Sequence, residues 1–282
     1  MTLTVGWTNY RSNDGGGSWV LTAHGGPTPP LYGVRDVEID QHDPRRMIAT
    51  GLGAYLTNDG GRTWRETASR LDYPEMLVRA DRDTLFIHGC GVYRSDDDGE
   101  SWRATLPCDT WPWAEVLRWS QKLELDPSDP KQVYVLTFQV KNLEQPHGVL
   151  ADNPSILWKS ADGGRTWRKI AQNFRTFALD RTGSRLYAVR NRTVFASDDG
   201  GKSWRAEART PYLIHDLLVD PVDPDVLYAA GRGVLRSTDR GATWEPIGQE
   251  ISPAALTLHP DRRTLYAAGY GGVLKIRLPE PP

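Results

Sequence analysis

Cysteine is nearly absent: Cys90 and Cys108 are the only two in 282 residues. Two cysteines without a CxxC spacing cannot build a cysteine-rich zinc module, and in a chain with no export signal such a pair is expected as free thiols. Phenylalanine is also scarce, with 5 copies, which suits short strands and many turns. No apolar run approaches the ~18 residues that a membrane-spanning helix needs. Met1 to Trp7 shows no basic segment followed by an apolar stretch, so no signal peptide is expected and the location reads as cytoplasmic, without a membrane partner. An excess of one charge sign is missing too. The formal net charge of −2 gives no footprint of a nucleic-acid partner.

What the chain has is tryptophan, glycine and proline, with 11, 27 and 20 copies, a composition of short strands and many turns. It also has a repeat. The pattern Ser/Thr-x-Asp-x-Gly-x-Ser/Thr-Trp occurs at Ser12–Trp19, Thr57–Trp64, Ser95–Trp102, Ser160–Trp167, Ser197–Trp204 and Ser237–Trp244. Apolar, strand-like residues precede each copy and an extended stretch follows, so each copy reads as the turn of a β-hairpin. The Asp accepts hydrogen bonds from the turn's own N–H groups, the Gly tolerates positive φ, and the Trp buries a large ring.

This box resembles the Asp-box, or BNR, repeat of sialidases, sortilin-type receptors and photosystem II assembly-factor propellers, and the likeness covers nearly the whole chain. The resemblance implies that the boxes are structural. Upstream of the later boxes a second unit recurs: an apolar strand, an Asp/Pro turn and another strand, as in Asp36–Asp40 with Met47–Thr50 and Leu217–Asp220 with Val226–Ala230. Four-stranded sheets of this kind bury both faces by stacking radially. The expected fold is an all-β, six-bladed β-propeller of four-stranded antiparallel blades, one domain over residues 1–282. Its chain ends share the closing blade. Val273–Ile276 is a surplus strand, either pairing beside the N-terminal strand or opening a seventh, partial blade.

In such a blade the boxes and Asp-Pro turns fall on one side and the irregular connections on the other, where variable loops on a rigid frame carry function. Aligned inner strands begin at Arg35, Glu75, Gln121, Arg175 and His215, with Tyr32, Tyr73, Tyr212 and Trp119 slightly earlier and Arg190 and Arg232 in neighbouring loops. This mouth suits a small polar or anionic ligand; Trp111, Trp113 and Trp119 suit stacking on a sugar or anchoring a protein partner. Glu75 and His215, with Tyr212, are the candidate acid/base groups and Arg35 and Arg175 the carboxylate clamps. For a sialidase the resemblance implies an Arg-Ile-Pro motif and an arginine triad. No Arg-Ile-Pro occurs, and nothing local to Arg35, Arg175 or Arg232 matches. His88, Cys90, His147 and His215 are the residue types available to a metal, without a supporting spacing, and no cofactor is expected. The expected role is ligand or partner binding. The alternatives are a glycosidase-like hydrolase or lyase, and an assembly scaffold without small-molecule chemistry. The sequence leaves the oligomeric state open.

Overall fold

In a computed structural model the chain is made of antiparallel strands. The structure describes residues 34–40, 42–69, 71, 74–108, 116–141, 155–248, 252–269 and 272–279, together with the backbone of strands 2–5, 8–11 and 20–23. Five sheets have four strands, each ordered along the chain. They are β4 (Asp36–Ile39), β5 (Met47–Thr50), β6 (Gly53–Thr57) and β7 (Arg65–Ser69); β8 (Pro74–Arg79), β9 (Leu85–Gly89), β10 (Gly91–Ser95) and β11 (Arg103–Leu106); β12 (Val116–Leu125), β13 (Val133–Lys141), β14 (Ser155–Ser160) and β15 (Arg168–Gln172); β16 (Thr176–Leu179), β17 (Leu186–Arg190), β18 (Thr193–Ser197) and β19 (Arg205–Arg209); and β20 (Asp216–Val219), β21 (Leu227–Ala230), β22 (Val234–Ser237) and β23 (Glu245–Ile247). Two terminal sheets have three strands: β1 (Thr2–Val5), β2 (Thr8–Arg11) and β3 (Val20–Ala23), and β24 (Pro253–Leu258), β25 (Thr264–Gly269) and β26 (Gly272–Arg277).

Six sheets therefore open on an inner strand, β4, β8, β12, β16, β20 and β24, as six blades of a β-propeller require. Among the described residues β1–β3 form a separate three-stranded sheet; along the sequence the first box falls between its second and third strands. The surplus strand Val273–Ile276 lies within β26, which pairs along its length with β25.

By contacts the chain divides into two compact units. The first is Met1–Leu123, Thr137–Asn153 and Ser160–Trp167; the second is Glu124–Leu136, Pro154–Lys159 and Arg168–Pro282. In the first, Ile48, Ala54, Leu56, Leu77, Leu85 and Ile87 form a buried cluster that Trp102 covers. In the second, Tyr187, Val189, Ile214, Leu217, Leu227 and Leu235 do the same under Trp244. Removing such surface from water contributes about 25 cal/mol per Å², so within each unit the blades that share these clusters stabilise one another.

The boxes at 57, 95, 160, 197 and 237 share one hydrogen-bond pattern. The leading hydroxyl donates to the Asp (2.7–2.8 Å) and accepts from the glycine N–H two residues after that Asp (2.7–3.1 Å). The Asp's second oxygen takes the trailing hydroxyl at 2.5–2.6 Å. These donors hold Asp59, Asp162 and Asp199 well below the usual carboxylate range, the hydroxyls of Thr63, Thr166 and Ser203 contributing most. The aspartates serve the turn, as the sequence reading expected.

Acids on inner strands stitch neighbouring blades. Asp36 accepts the N–H of Leu77 (2.9 Å), Asp216 that of Leu256 (2.9 Å) and Glu124 that of Leu179 (2.9 Å). Burial pushes Asp36 up, against the N–H groups of Leu77 and Val37.

Candidate functional site

The connections between second and third strands form corners against the segment that enters the inner strand. At two of them the backbone is nearly the same. In the first unit, Gly51 N–H donates to Gly53 O (2.9 Å) and Arg35 N–H to Thr50 O (2.8 Å). In the second, Gly231 N–H donates to Gly233 O (2.8 Å) and His215 N–H to Ala230 O (2.7 Å). Arg175 meets Val189 O in the same way, at 2.6 Å. The strand register thus places Arg35, Arg175 and His215 at equivalent starts of their inner strands. Glu75 occupies a register shift between Pro74 and Met76, where β8 slips against β9.

The side chains differ. In the first unit Arg35 Nη1 lies 3.8 Å from Glu75 Oε1, a half-exposed ion pair, and Thr50 Oγ1 donates to the Glu75 carbonyl (3.1 Å). Leu52 and Met76 stand 67% and 49% exposed.

In the second unit Arg175 Nη2 lies 3.1 Å from His215 Nδ1. A guanidinium only donates, so Nδ1 is the acceptor and the neutral ring carries its proton on Nε2. Burial, and then the Arg175 charge, lower the His215 pKa from its ordinary 6.5. Burial likewise lowers that of Arg175. Tyr212 packs against the turn: a Cβ on Gly231 would collide with the Leu213 carbonyl and stand 2.6 Å from Tyr212 Cδ2, so only glycine fits there. Leu213, 45% exposed, and the exposed Arg232 complete the corner.

Arg190 is turned to the segment that leads from β15 into β16. Its guanidinium lies 4.8 Å from the Phe174 ring centre and donates to Gln172 O (3.0 Å) and Asn173 O (3.3 Å). Tyr32, Tyr73, Trp111, Trp113 and His147 lie outside the described residues, and of Trp119 only its place in β12 is described.

The expectation of free thiols is corrected. Cys90 and Cys108 form a disulfide, their Cα atoms 5.0 Å apart, because the β9–β10 turn brings Cys90 beside the chain leaving β11. Cys90 therefore offers no thiolate to a metal. His88 is buried in β9, opposite Met76 and Val92. The bonds that Asp36, Asp216 and Glu124 make to the next blade were not expected from the sequence, which placed Asp216 beside His215 at the start of its inner strand. Their signal was an acid on an inner strand, recurring at the same register in β4 and β20.

A cavity lies elsewhere. It has a volume of about 480 Å³ and sits between β4 and β8, lined by Glu38, Asp40, His42, Arg79, Asp81 and Arg82 above Leu77, Val78 and Ala80. These residues belong to the inner strands and the turns that leave them, not to the irregular connections where a pocket was expected.

No family model and no curated protein sequence matches the chain. Solved structures do. YCF48 bound to D1 peptide is 18% identical, with a TM-score of 0.67, over 97% of this chain and 87% of that one. A gluconolactonase from Xanthomonas campestris is 17% identical (TM-score 0.50, 94% and 91% covered). A chain of the nidogen/laminin complex is 12% identical (TM-score 0.50, 86% and 90% covered). What these three share with the present chain is its fold, a β-propeller.

Proposed function

We propose that this chain is a binding propeller of the Asp-box kind that takes an acidic segment of a protein partner at the corner formed by Arg175, Tyr212, Leu213, His215 and Arg232. The observation that carries the reading is the Arg175–His215 pair. It holds a partly desolvated guanidinium and an imidazole Nε2–H side by side, as two donors for a carboxylate. Leu213 and the Tyr212 ring supply apolar contact beside them, and Arg232 adds a second cation. The solved structure of YCF48 holds a D1 peptide, which supports a peptide as the class of partner for the same fold here.

Catalysis is less favoured. General acid–base chemistry needs two titratable groups converging on one substrate, whereas Glu75 faces Arg35 and His215 faces Arg175. The disulfide supports an oxidising compartment in place of the cytoplasm, where such bonds are rare.

The test is fluorescence anisotropy with a labelled panel of acidic and charge-neutral peptides. Acidic peptides bind, more weakly as salt rises. Arg175→Ala combined with Arg232→Ala lowers affinity about tenfold or more, about 1.4 kcal/mol per decade. Equal affinity for neutral peptides, or an undiminished double variant, defeats the proposal.

A further inference from the structure

We propose that the cavity between β4 and β8 is a second binding site, for a molecule that presents a cationic nitrogen, an ammonium or a guanidinium, to Glu38. The volume of about 480 Å³ falls within the range of small-ligand pockets. Glu38 lines it as a half-buried carboxylate. Among the described residues its one ion pair runs to Arg79 Nε at 3.7 Å, too long for a hydrogen bond. Arg79 directs Nη1 instead to Asp98 Oδ1 (2.8 Å) and to the Arg82 carbonyl (2.8 Å). Its Nε and Nη2 are buried without a hydrogen-bond partner. Among the described residues no hydrogen bond reaches the Glu38 oxygens, so lone pairs of a partly desolvated carboxylate face a space of ligand size.

Burial pushes the Glu38 pKa up, Asp36 and Asp40 push it further, and Arg79 opposes them. Asp40 is held below the usual range by the His42 and Asp43 N–H groups and stays anionic. With Asp81 on the rim, the acids outnumber Arg82 and the shared Arg79, while His42 is exposed. A cation with two or three N–H donors fills those lone pairs and reduces the mutual repulsion. Val78 and Ala80, both partly exposed, accept its methylene stem.

The experiment is calorimetric titration of the full chain with agmatine, with a lysine-bearing tetrapeptide, and with malonate as the anionic counterpart. Agmatine or the tetrapeptide binds and malonate does not. Binding by agmatine identifies a free amine; binding by the tetrapeptide alone identifies a side chain of a partner protein. Glu38→Gln weakens the interaction at least tenfold with an unchanged melting temperature. If that variant does not fold, the wild type supplies the readout, since affinity must fall as the pH drops toward the ordinary glutamate value of 4.5. Failure of both cations, preference for malonate, equal binding by Glu38→Gln, or pH-independent binding overturns the proposal.

Discussion

The box turns and the Gly-x-Gly corners are both short polar connections, but they use their side chains in opposite ways. In a box, hydroxyl, carboxylate and glycine N–H bond within the turn, and in the boxes at 57, 95 and 237 the tryptophan does so too. Trp64 Nε1 donates to Gly61 O at 3.1 Å and Trp244 Nε1 to Gly241 O at 3.0 Å. At a corner the backbone alone closes the turn, and the middle residue points outward. That residue is Leu52 in one unit and Arg232 in the other, on turns closed at 2.9 and 2.8 Å. The lesson is one of satisfaction. A turn that needs its side chains for its own hydrogen bonds must repeat its sequence; a turn that needs only its backbone leaves its side chains free to differ.

Acid gives the largest separation of the two. A carboxylate with a depressed pKa contributes stability that is fully present above its unfolded value and lost as the pH falls through the folded value. The aspartates of all five described boxes are lowered from 3.8. Below that pH the boxes lose stability together, and thermal denaturation followed against pH shows a steep fall there. The His215 corner responds earlier. Its lowered imidazole pKa means that stability begins to decline once the pH drops below 6.5, by a smaller amount that His215→Gln abolishes. A melting temperature that stays flat below 3.8 breaks the comparison.

Ser197→Ala comes next. It removes the acceptor of the buried Gly201 N–H and one donor to Asp199, costing about 1–3 kcal/mol in chemical denaturation. Arg232→Ala, an exposed corner change, shifts stability by less than about 0.5 kcal/mol while carrying its share of the binding loss expected above. A corner variant as destabilising as the box variant removes the distinction.

The smallest effect concerns the odd box. Trp102 and Trp167 reach back to Thr67 and Thr105 of the preceding blade, each at 3.2 Å. The equivalent third residue of β15 is Ile170, and Trp204 Nε1 is buried without a hydrogen-bond partner. A Cβ on Gly201 would meet Ile170 Cδ1 at 2.5 Å, which places that side chain against the box. Ile170→Thr supplies the missing acceptor and gives up apolar contact, so stability changes by about 0.5 kcal/mol or less. Exchange of the Trp204 indole N–H slows; unaltered exchange sinks the explanation.

The boxes, the six inner strands and the starting positions of Arg35, Arg175 and His215 were legible because period-two strands and turn chemistry are local. Partner choice was not. Glu75 and His215 had looked like an acid/base pair, yet each is held by an arginine on a neighbouring inner strand. Spacing along the chain does not encode which residue of the next blade stands opposite. The Cys90–Cys108 bond and the Asp36, Asp216 and Glu124 stitches escaped for the same reason: each joins groups 18 to 55 residues apart.

By itself the sequence determined where the strands run, where they turn and which residues the turns consume, since those depend on backbone conformation and bonds within a few residues. Only the tertiary structure decided which carboxylates are satisfied and which are not. Desolvation and pairing arise when blades stack, and they left Glu38 facing a cavity while the box aspartates were already engaged within their own loops.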